Sequence, residues 1–406
     1  MRKIAIVTSG YLPVPATKGG AVEALDEYLV QQNEALGALD LTVYSSFEEN
    51  AEKMASTYQH TKVEFVKTPG LIQAMDRVVY FLAKNILKKK KHLSYRYILQ
   101  RLHFQGKVGK ALATSSFDKV VLENNATLYR VIAKYGNREK YKGRVVLHLH
   151  NLVTNDFGYG DVIQETSQVL GVSKYINQTL KERFPALKEE SFSVLRNVVD
   201  RNIFNGEITS DERHELRAKY GIAEGEQMIL FAGRMDEEKG IRELLQAFKI
   251  AKIQQAKLLI IGGYFFDSDM LSEYEVELRE LASDLGDKVI FTGFIPHKEL
   301  GDVYAAADFT VLPSIWEDPA PLTVIEALSS GSPLITTDSG GIPEYAPENG
   351  SIIIERKGDW VVQLAEEMQK LSEDAEKRKI MREINKEWTK AWDVPEFYRN
   401  FVQLLS

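Results

Sequence analysis

The chain of 406 residues contains no cysteine. That excludes disulfides and thiolate metal sites, and it fits a reducing cytoplasm. No apolar run approaches the roughly 20 residues that a membrane-spanning helix requires. The opening MRKIAIVTSGYLP is a short apolar β-run that meets Gly and Pro without the cleavage pattern of a signal peptide. Compositionally biased tracts, repeats at solenoid periods and nucleic-acid-binding module patterns are all missing. Such a chain, 44% hydrophobic and 27% charged, has room for two globular domains, each with its own core.

Acidic and basic residues are segregated. Residues 1–200 hold 28 Lys/Arg against 20 Asp/Glu, and residues 201–406 hold 23 against 38, so charges of +8 and −15 lie behind the net −7. Residues 51–150 alone carry 20 basic and 6 acidic side chains, or +14. The two halves are expected to meet different partners. Within the basic stretch, residues 84–104 (KNILKKKKHLSYRYILQRLHF) interleave a lysine run with Ile, Leu, Tyr and Phe. A solvated helix face is the plain interpretation, and docking on an anionic membrane surface is the favoured one.

Apolar β-runs alternate with helical patterns in both halves, which predicts two parallel-sheet α/β units. Strands are expected near Ile4–Thr8, Leu41–Tyr44, Val63–Val66, Val120–Leu122, Val145–Leu149, Val169–Val172 and Phe192–Leu195. A second series follows at Met228–Ala232, Leu258–Ile261, Val289–Thr292, Phe309–Leu312 and Pro333–Thr336, with helices over Ile241–Ile253 and Lys298–Ala307. The boundary falls near Asn197–Phe204, giving domains of 1–197 and 198–387. The aromatic tail, with Trp388, Trp392, Phe397, Tyr398 and Phe401, is too apolar to leave in water.

Residues Asp308–Glu344 carry the most chemical information: a strand, an acidic Pro-rich loop, a helix bearing Glu326, a second strand and a Gly-Gly loop. Ala320, Gly340 and Gly341 permit close backbone approach to a ligand, and the helix N-termini favour negative charge. Asp318 and Glu326, eight residues apart, are expected to face one spot, which suits a polyhydroxylated anionic molecule. In FAGRMDEEKG, Arg234 ends a strand and Lys239 precedes a helix, two cations suited to a diphosphate. Gly19-Gly20 opens a helix after the first strand and can cradle phosphate through bare amides. In VVLHLHN, His148 and His150 share one strand face. No Asp, Glu or Cys at ligand spacing accompanies them, so no metal is expected. His150 and Asn151 are expected to emerge at the strand end while His148 stays packed. Asp267-Ser268-Asp269, an Asp-x-Asp sequence in an acidic loop, reads as solvated surface.

The acidic-x7-acidic segment resembles the signature of retaining family 4 glycosyltransferases, and the rest of the chain is similar to that family from end to end. The resemblance implies the GT-B fold, two Rossmann-like domains facing across a deep cleft, with the last helix (388–406) crossing back to the first domain. It implies that Glu326 accepts from the ribose of a nucleotide-sugar donor and that the first acid binds sugar hydroxyls. Here that acid is Asp318, where the family usually has Glu, and Glu317 stands beside it. Either can be the one that reaches the sugar. Further donor contacts implied are Gly19, Gly20, Arg234, Lys239, Ile295, Pro319, Ala320, Pro321 and Leu322. Ile295 belongs to a Gly293-Phe294-Ile295 stretch whose backbone reads the nucleobase. His150 takes the place beside the anomeric carbon, and Glu23, Asn151 and Ser173 fall on the acceptor side. Asn197–Asp200 resembles the family's Asn-Gly-Val-Asp turn, with Val198 in place of the glycine.

The implied activity is retaining transfer of a hexose from a nucleotide-diphosphate sugar to a hydroxyl of a lipid-linked saccharide in cell-surface polysaccharide synthesis. Neither a metal nor any other cofactor is required for it, and no nucleic acid takes part. The location is cytoplasmic, peripheral at the inner face of the membrane. The competing readings are a soluble glycosyltransferase or phosphorylase acting on a small sugar, and an inactive nucleotide-sugar-binding protein.

Overall fold

The computed structural model describes residues 1–86, 96–263 and 271–406. Lys88–Lys91 of the basic run and Asp267-Ser268-Asp269 lie outside them. Contacts divide the chain into two compact units, Met1–Arg196 with Val394–Ser406, and Asn197–Asp393.

Unit 1 is built on seven strands: β1 (Arg2–Val7), β2 (Leu39–Ser46), β3 (Thr61–Val66), β4 (Lys119–Glu123), β5 (Val145–Leu149), β6 (Gln168–Gly171) and β7 (Phe192–Val194). They pair in parallel in the order β3-β2-β1-β4-β5-β6-β7. Ile4, Ile6, Val121, Leu122, Val146 and Leu149 are fully buried, as near-continuous apolar strands are when helices cover both sheet faces. The helix Ala21–Leu36 follows β1, buries Leu25, Leu29 and Val30, and stops at Gly37 in the left-handed conformation.

Unit 2 repeats the plan with β8 (Gln227–Ala232), β9 (Ala256–Ile261), β10 (Val289–Gly293), β11 (Phe309–Leu312), β12 (Leu334–Thr337) and β13 (Ser351–Ile354). The order is β10-β9-β8-β11-β12-β13, again parallel. In both sheets the chain first builds outward on one side of its first strand and then crosses to the other. The reversal lies between β1 and β4 in unit 1 and between β8 and β11 in unit 2. Ligands of open parallel sheets bind beyond the carboxyl ends of the strands at such reversals.

The chain rejoins unit 1 at Val394, six residues later than the expected 388. Trp388 and Trp392 stay in unit 2, where Trp388 Nε1 donates to Tyr345 O at 2.9 Å and Trp392 meets the Tyr345 ring edge-on at 5.4 Å. The terminal helix Val394–Leu404 then lays Phe397, Tyr398 and Phe401 against unit 1, all buried. Tyr398 OH donates to Asn33 Oδ1 at 2.5 Å. No helix among the described residues is long and apolar enough to cross a membrane.

Candidate active site

At the reversal of unit 2, two loops are bound to each other. Ile315 and Trp316, beyond β11, donate backbone N–H groups to Glu238 O beyond β8, at 3.0 and 3.2 Å. This stitching brings Lys239 and Asp318, 79 positions apart, to 2.8 Å (Nζ to Oδ2), each less than a fifth exposed. With Phe231, Leu312, Pro321 and Val324 they line one recess. The neighbouring acid behaves differently. Glu317 accepts from the Arg356 guanidinium and from Gly340 N–H at 2.6 Å, so it fastens two loops while Asp318 faces the recess.

Gly340 has φ +55°, and a Cβ there would lie 2.5 Å from Asp318 O and 2.7 Å from Glu317 C. Its close approach is thus to the protein's own acidic loop, where the sequence suggested a ligand. Gly341 N–H donates to Asp318 O at 2.9 Å. Pro319 and Ala320 lead to Pro321, which immediately precedes the helix Leu322–Ser329 in extended conformation. Asn197 Nδ2 holds that loop by donating to Ala320 O at 3.0 Å.

Glu326 lies in this helix, only 5% exposed, with both oxygens engaged. Tyr304 OH donates to Oε2 at 3.1 Å, and His297 Nε2 lies 3.3 Å from Oε1. The hydrogen bond that His297 donates to Glu326 raises its pKa above its ordinary value against the opposing effect of burial. Arg234 extends further out, 63% exposed, its Nη2 3.2 Å from Asp236. Ile295 is buried just after Gly293, where the ladder between β9 and β10 shifts register.

At the reversal of unit 1, Gly20 precedes the helix Ala21–Leu36 with φ 108°, and a Cβ there would meet Glu23 Oε2 at 2.3 Å. Glu23 is therefore tucked under the Gly19-Gly20 loop, bonded to Ser9 Oγ at 2.9 Å. It is buried, and burial raises its pKa. The carboxyl end of β4 supplies Glu123, fully buried, to the two histidines of β5. Its oxygens lie 3.0 Å from His148 Nδ1 and 3.2 Å from His150 Nε2. The expectation that no carboxylate accompanies these histidines is corrected here, because strand order places β4 beside β5. The three ligand atoms lie within 4.8 Å of one another, a grouping that can hold an ion.

Burial opposes ionisation of Glu123, yet His148 and the hydrogen bonds of both rings hold it down to about 2. Burial and the neighbouring His148 lower His150 to about 4. Asp26, on the helix Ala21–Leu36, is 1% exposed and lies against the Glu123 carboxylate. Burial, then Glu123 and Glu23, push its carboxyl well above the usual range. His150 itself is 7% exposed, more enclosed than a side chain emerging at a strand end, whereas Asn151 is exposed. Ser173 is fully buried and its Oγ caps the helix Lys174–Arg183, accepting from Ile176 N–H at 3.3 Å. Its hydroxyl is engaged at a strand-to-helix joint.

Residues 212–388 match the family described as glycosyl transferases group 1. YtcC of Bacillus subtilis (strain 168) is 30% identical over 352 residues, 84% of this chain and 75% of that protein. The chain belongs to the group 1 glycosyltransferase family. This glycosyltransferase is also 26% identical over 237 residues, 58% of each chain, to the lipopolysaccharide 1,2-N-acetylglucosaminetransferase of Salmonella typhimurium. HepE of Anabaena, solved in complex with UDP and glucose, superposes with a TM-score of 0.70 at 17% identity, covering 100% of this chain and 99% of that one. That likeness gives the fold, two parallel-sheet α/β domains of the GT-B type.

Against this family background, Glu123, Asp26, Tyr304, His297 and Arg356 are what sequence reasoning missed. Glu123 carried a faint signal, an acid directly after the apolar run VVL. Tyr304 and His297 carried none, sitting in a helical pattern like any other. A larger recess of unit 2, about 440 Å³, opens at the opposite, amino-terminal edge of its strands. There Arg213 and Arg217 pair with Asp308 at 3.0 Å and Arg217 also caps Ala306 O, so its charges are engaged in the fold.

Proposed function

We propose that the enzyme is a retaining hexosyltransferase that uses a nucleotide-diphosphate sugar and delivers the hexose to a hydroxyl of a lipid-linked saccharide in cell-surface polysaccharide synthesis. The observation that carries this reading is the preset group at the unit 2 reversal. A lysine and a carboxylate pair at 2.8 Å, and a second carboxylate is fixed by Tyr304 and His297. Glu326 accepts hydrogen bonds from the ribose, Lys239 and Arg234 neutralise the diphosphate, and Asp318 binds sugar hydroxyls. Glu317 is already engaged with Arg356 and Gly340, which favours Asp318 for that role. Gly19, Gly20 and the backbone from Pro319 to Leu322 complete the donor contacts, and Ile295 lies where the base is read.

In the reaction, the bond from the anomeric carbon to the diphosphate oxygen breaks and its electrons leave with the phosphate. The acceptor oxygen bonds to the same face, and its proton passes to the departing diphosphate. Lys239 and Arg234 act on the further negative charge that develops on the already anionic diphosphate as this bond breaks, so they stabilise the transition state more than the bound donor. His150 is neutral and bonded through Nε2 to the Glu123 carboxylate, which places its proton there and leaves Nδ1 to accept from a sugar hydroxyl. Asn151 and Glu23 lie on the acceptor side. The two cations perform the neutralisation that a metal ion performs elsewhere, so no metal is assigned. The enzyme works at the cytoplasmic face of the membrane.

The test is the anomeric configuration of the new glycosidic bond, read by NMR and compared with that of the donor, with and without EDTA. Retention with unchanged rate is the expected result. Inversion, or an absolute requirement for a divalent ion, would contradict it.

A further inference from the structure

The helix Gly70–Phe81 of unit 1 is turned inside out relative to an ordinary surface helix. Its one buried side chain is a carboxylate, Asp76, whose two oxygens accept from Leu99 N–H and Gln100 N–H at 2.8 Å each. Its outward side is apolar: Leu71 is 73% exposed, Met75 48%, Val78 57% and Phe81 57%, and Leu82 just beyond it is 41% exposed. At 3.6 residues per turn these five fall within an arc of about 120°. Exposed Arg77 and Lys84 follow one flank of the stripe. Contiguous apolar patches of this kind on a soluble domain mark an interaction surface.

Hydrogen bonds fix where the stripe lies. Asp76 fastens the helix to the start of the helix Ile98–Thr114. From there Gln100 Nε2 donates to Gly10 O at 3.2 Å, and Tyr97 stacks on Tyr11 at 5.9 Å. Gly10 and Tyr11 follow β1, so the apolar face is attached at the carboxyl end of the unit 1 sheet, beside Glu23 and the Gly19-Gly20 loop.

We propose that Leu71, Met75, Val78, Phe81 and Leu82 insert into the headgroup boundary of an anionic lipid bilayer, with Arg77 and Lys84 resting on lipid phosphates. Charge selects this occupant. A second copy of the chain would bring together two segments (residues 51–150) that each carry +14, whereas an anionic leaflet attracts them and offers apolar depth for the stripe. The docking element thus begins fourteen residues before the 84–104 stretch that the sequence suggested. Docking itself does not depend on the proposed function. Only its purpose, presenting a lipid-borne acceptor to this end of the sheet, rests on that reading.

The experiment is co-sedimentation of the full chain with vesicles of phosphatidylcholine alone and of equal parts phosphatidylcholine and phosphatidylglycerol. Wild type is expected to bind the mixed vesicles and to be released by salt. Leu71→Ser/Met75→Ser/Val78→Ser should lower partitioning by roughly tenfold or more, with unchanged melting temperature and unchanged thermal shift by nucleoside diphosphate. Should that variant misfold, Val78→Glu alone carries the same expectation. Equal binding by wild type and variant, or no binding by wild type, overturns the proposal. So does a wild-type dimer in sedimentation equilibrium that the triple substitution dissolves, since a second copy would then cover the face. Failure of the donor reading appears separately, as no thermal shift with any nucleoside diphosphate.

Discussion

Glu123 sits where three buried ionisable groups meet, and its effect on His150 is the most specific residue-scale consequence of the structure. Replacing it by Gln removes the carboxylate that fixes the Nε2–H tautomer. Glu123→Gln should lower turnover on the order of tenfold or more and leave donor affinity unchanged, read as separate kcat and donor Kd values. A second consequence concerns His297, whose pKa in the folded state lies above its ordinary 6.5 through its bond to Glu326. The stabilisation from protonated His297 is fully present below 6.5 and is lost as pH rises through the raised value. The melting temperature difference between wild type and His297→Asn should therefore be largest at acidic pH and shrink towards alkaline pH. A constant difference across that range would contradict the pairing. Lys239, Asp318 and Glu326 could be picked out from the sequence because local loop and helix spacing announces them. Their supports could not, since Tyr304 lies 22 positions from Glu326 and Glu123 lies 27 from His150, and only tertiary strand order joins them.

Among the elements, the loop between β12 and the short helix Ile342–Tyr345 is closely confined. Gly340→Ala combines a left-handed φ with a collision against the Glu317–Asp318 backbone. It should cost roughly 1–3 kcal/mol, measured by urea denaturation, and weaken donor binding by displacing Asp318. Loss of stability with intact binding would separate the loop from the site. Most strands were readable to within a residue or two because buried parallel strands are continuous apolar runs. The edge strand β13 (SIII) escaped, being four residues long with Ile353 38% exposed. Gly340 itself was visible as a close-approach glycine, but what it approaches depends on a loop 22 positions away in sequence.

At the scale of the molecule, the terminal helix belongs to unit 1 although it follows unit 2 in the chain. Phe401 is fully buried there, so Phe401→Ala should destabilise unit 1 by about 3–5 kcal/mol while the nucleoside diphosphate thermal shift of unit 2 persists. The aromatic density of the tail signalled burial, but its point of return did not show, because Trp388 and Trp392 are equally aromatic and pack on Tyr345. The opposite charges of the halves fit the proposed division of labour. In that proposal unit 2 tolerates an acidic surface because a few placed cations bind the diphosphate, and the basic unit 1 carries the lipid-docking face.

The most direct test of the central claim is calorimetric titration of UDP, GDP and ADP into wild-type enzyme, Lys239→Ala and Glu326→Gln. Wild type is expected to select one of these nucleotides and each substitution to weaken its binding about tenfold or more, with both variants still unfolding cooperatively. Wild-type affinity in both variants would contradict the claim.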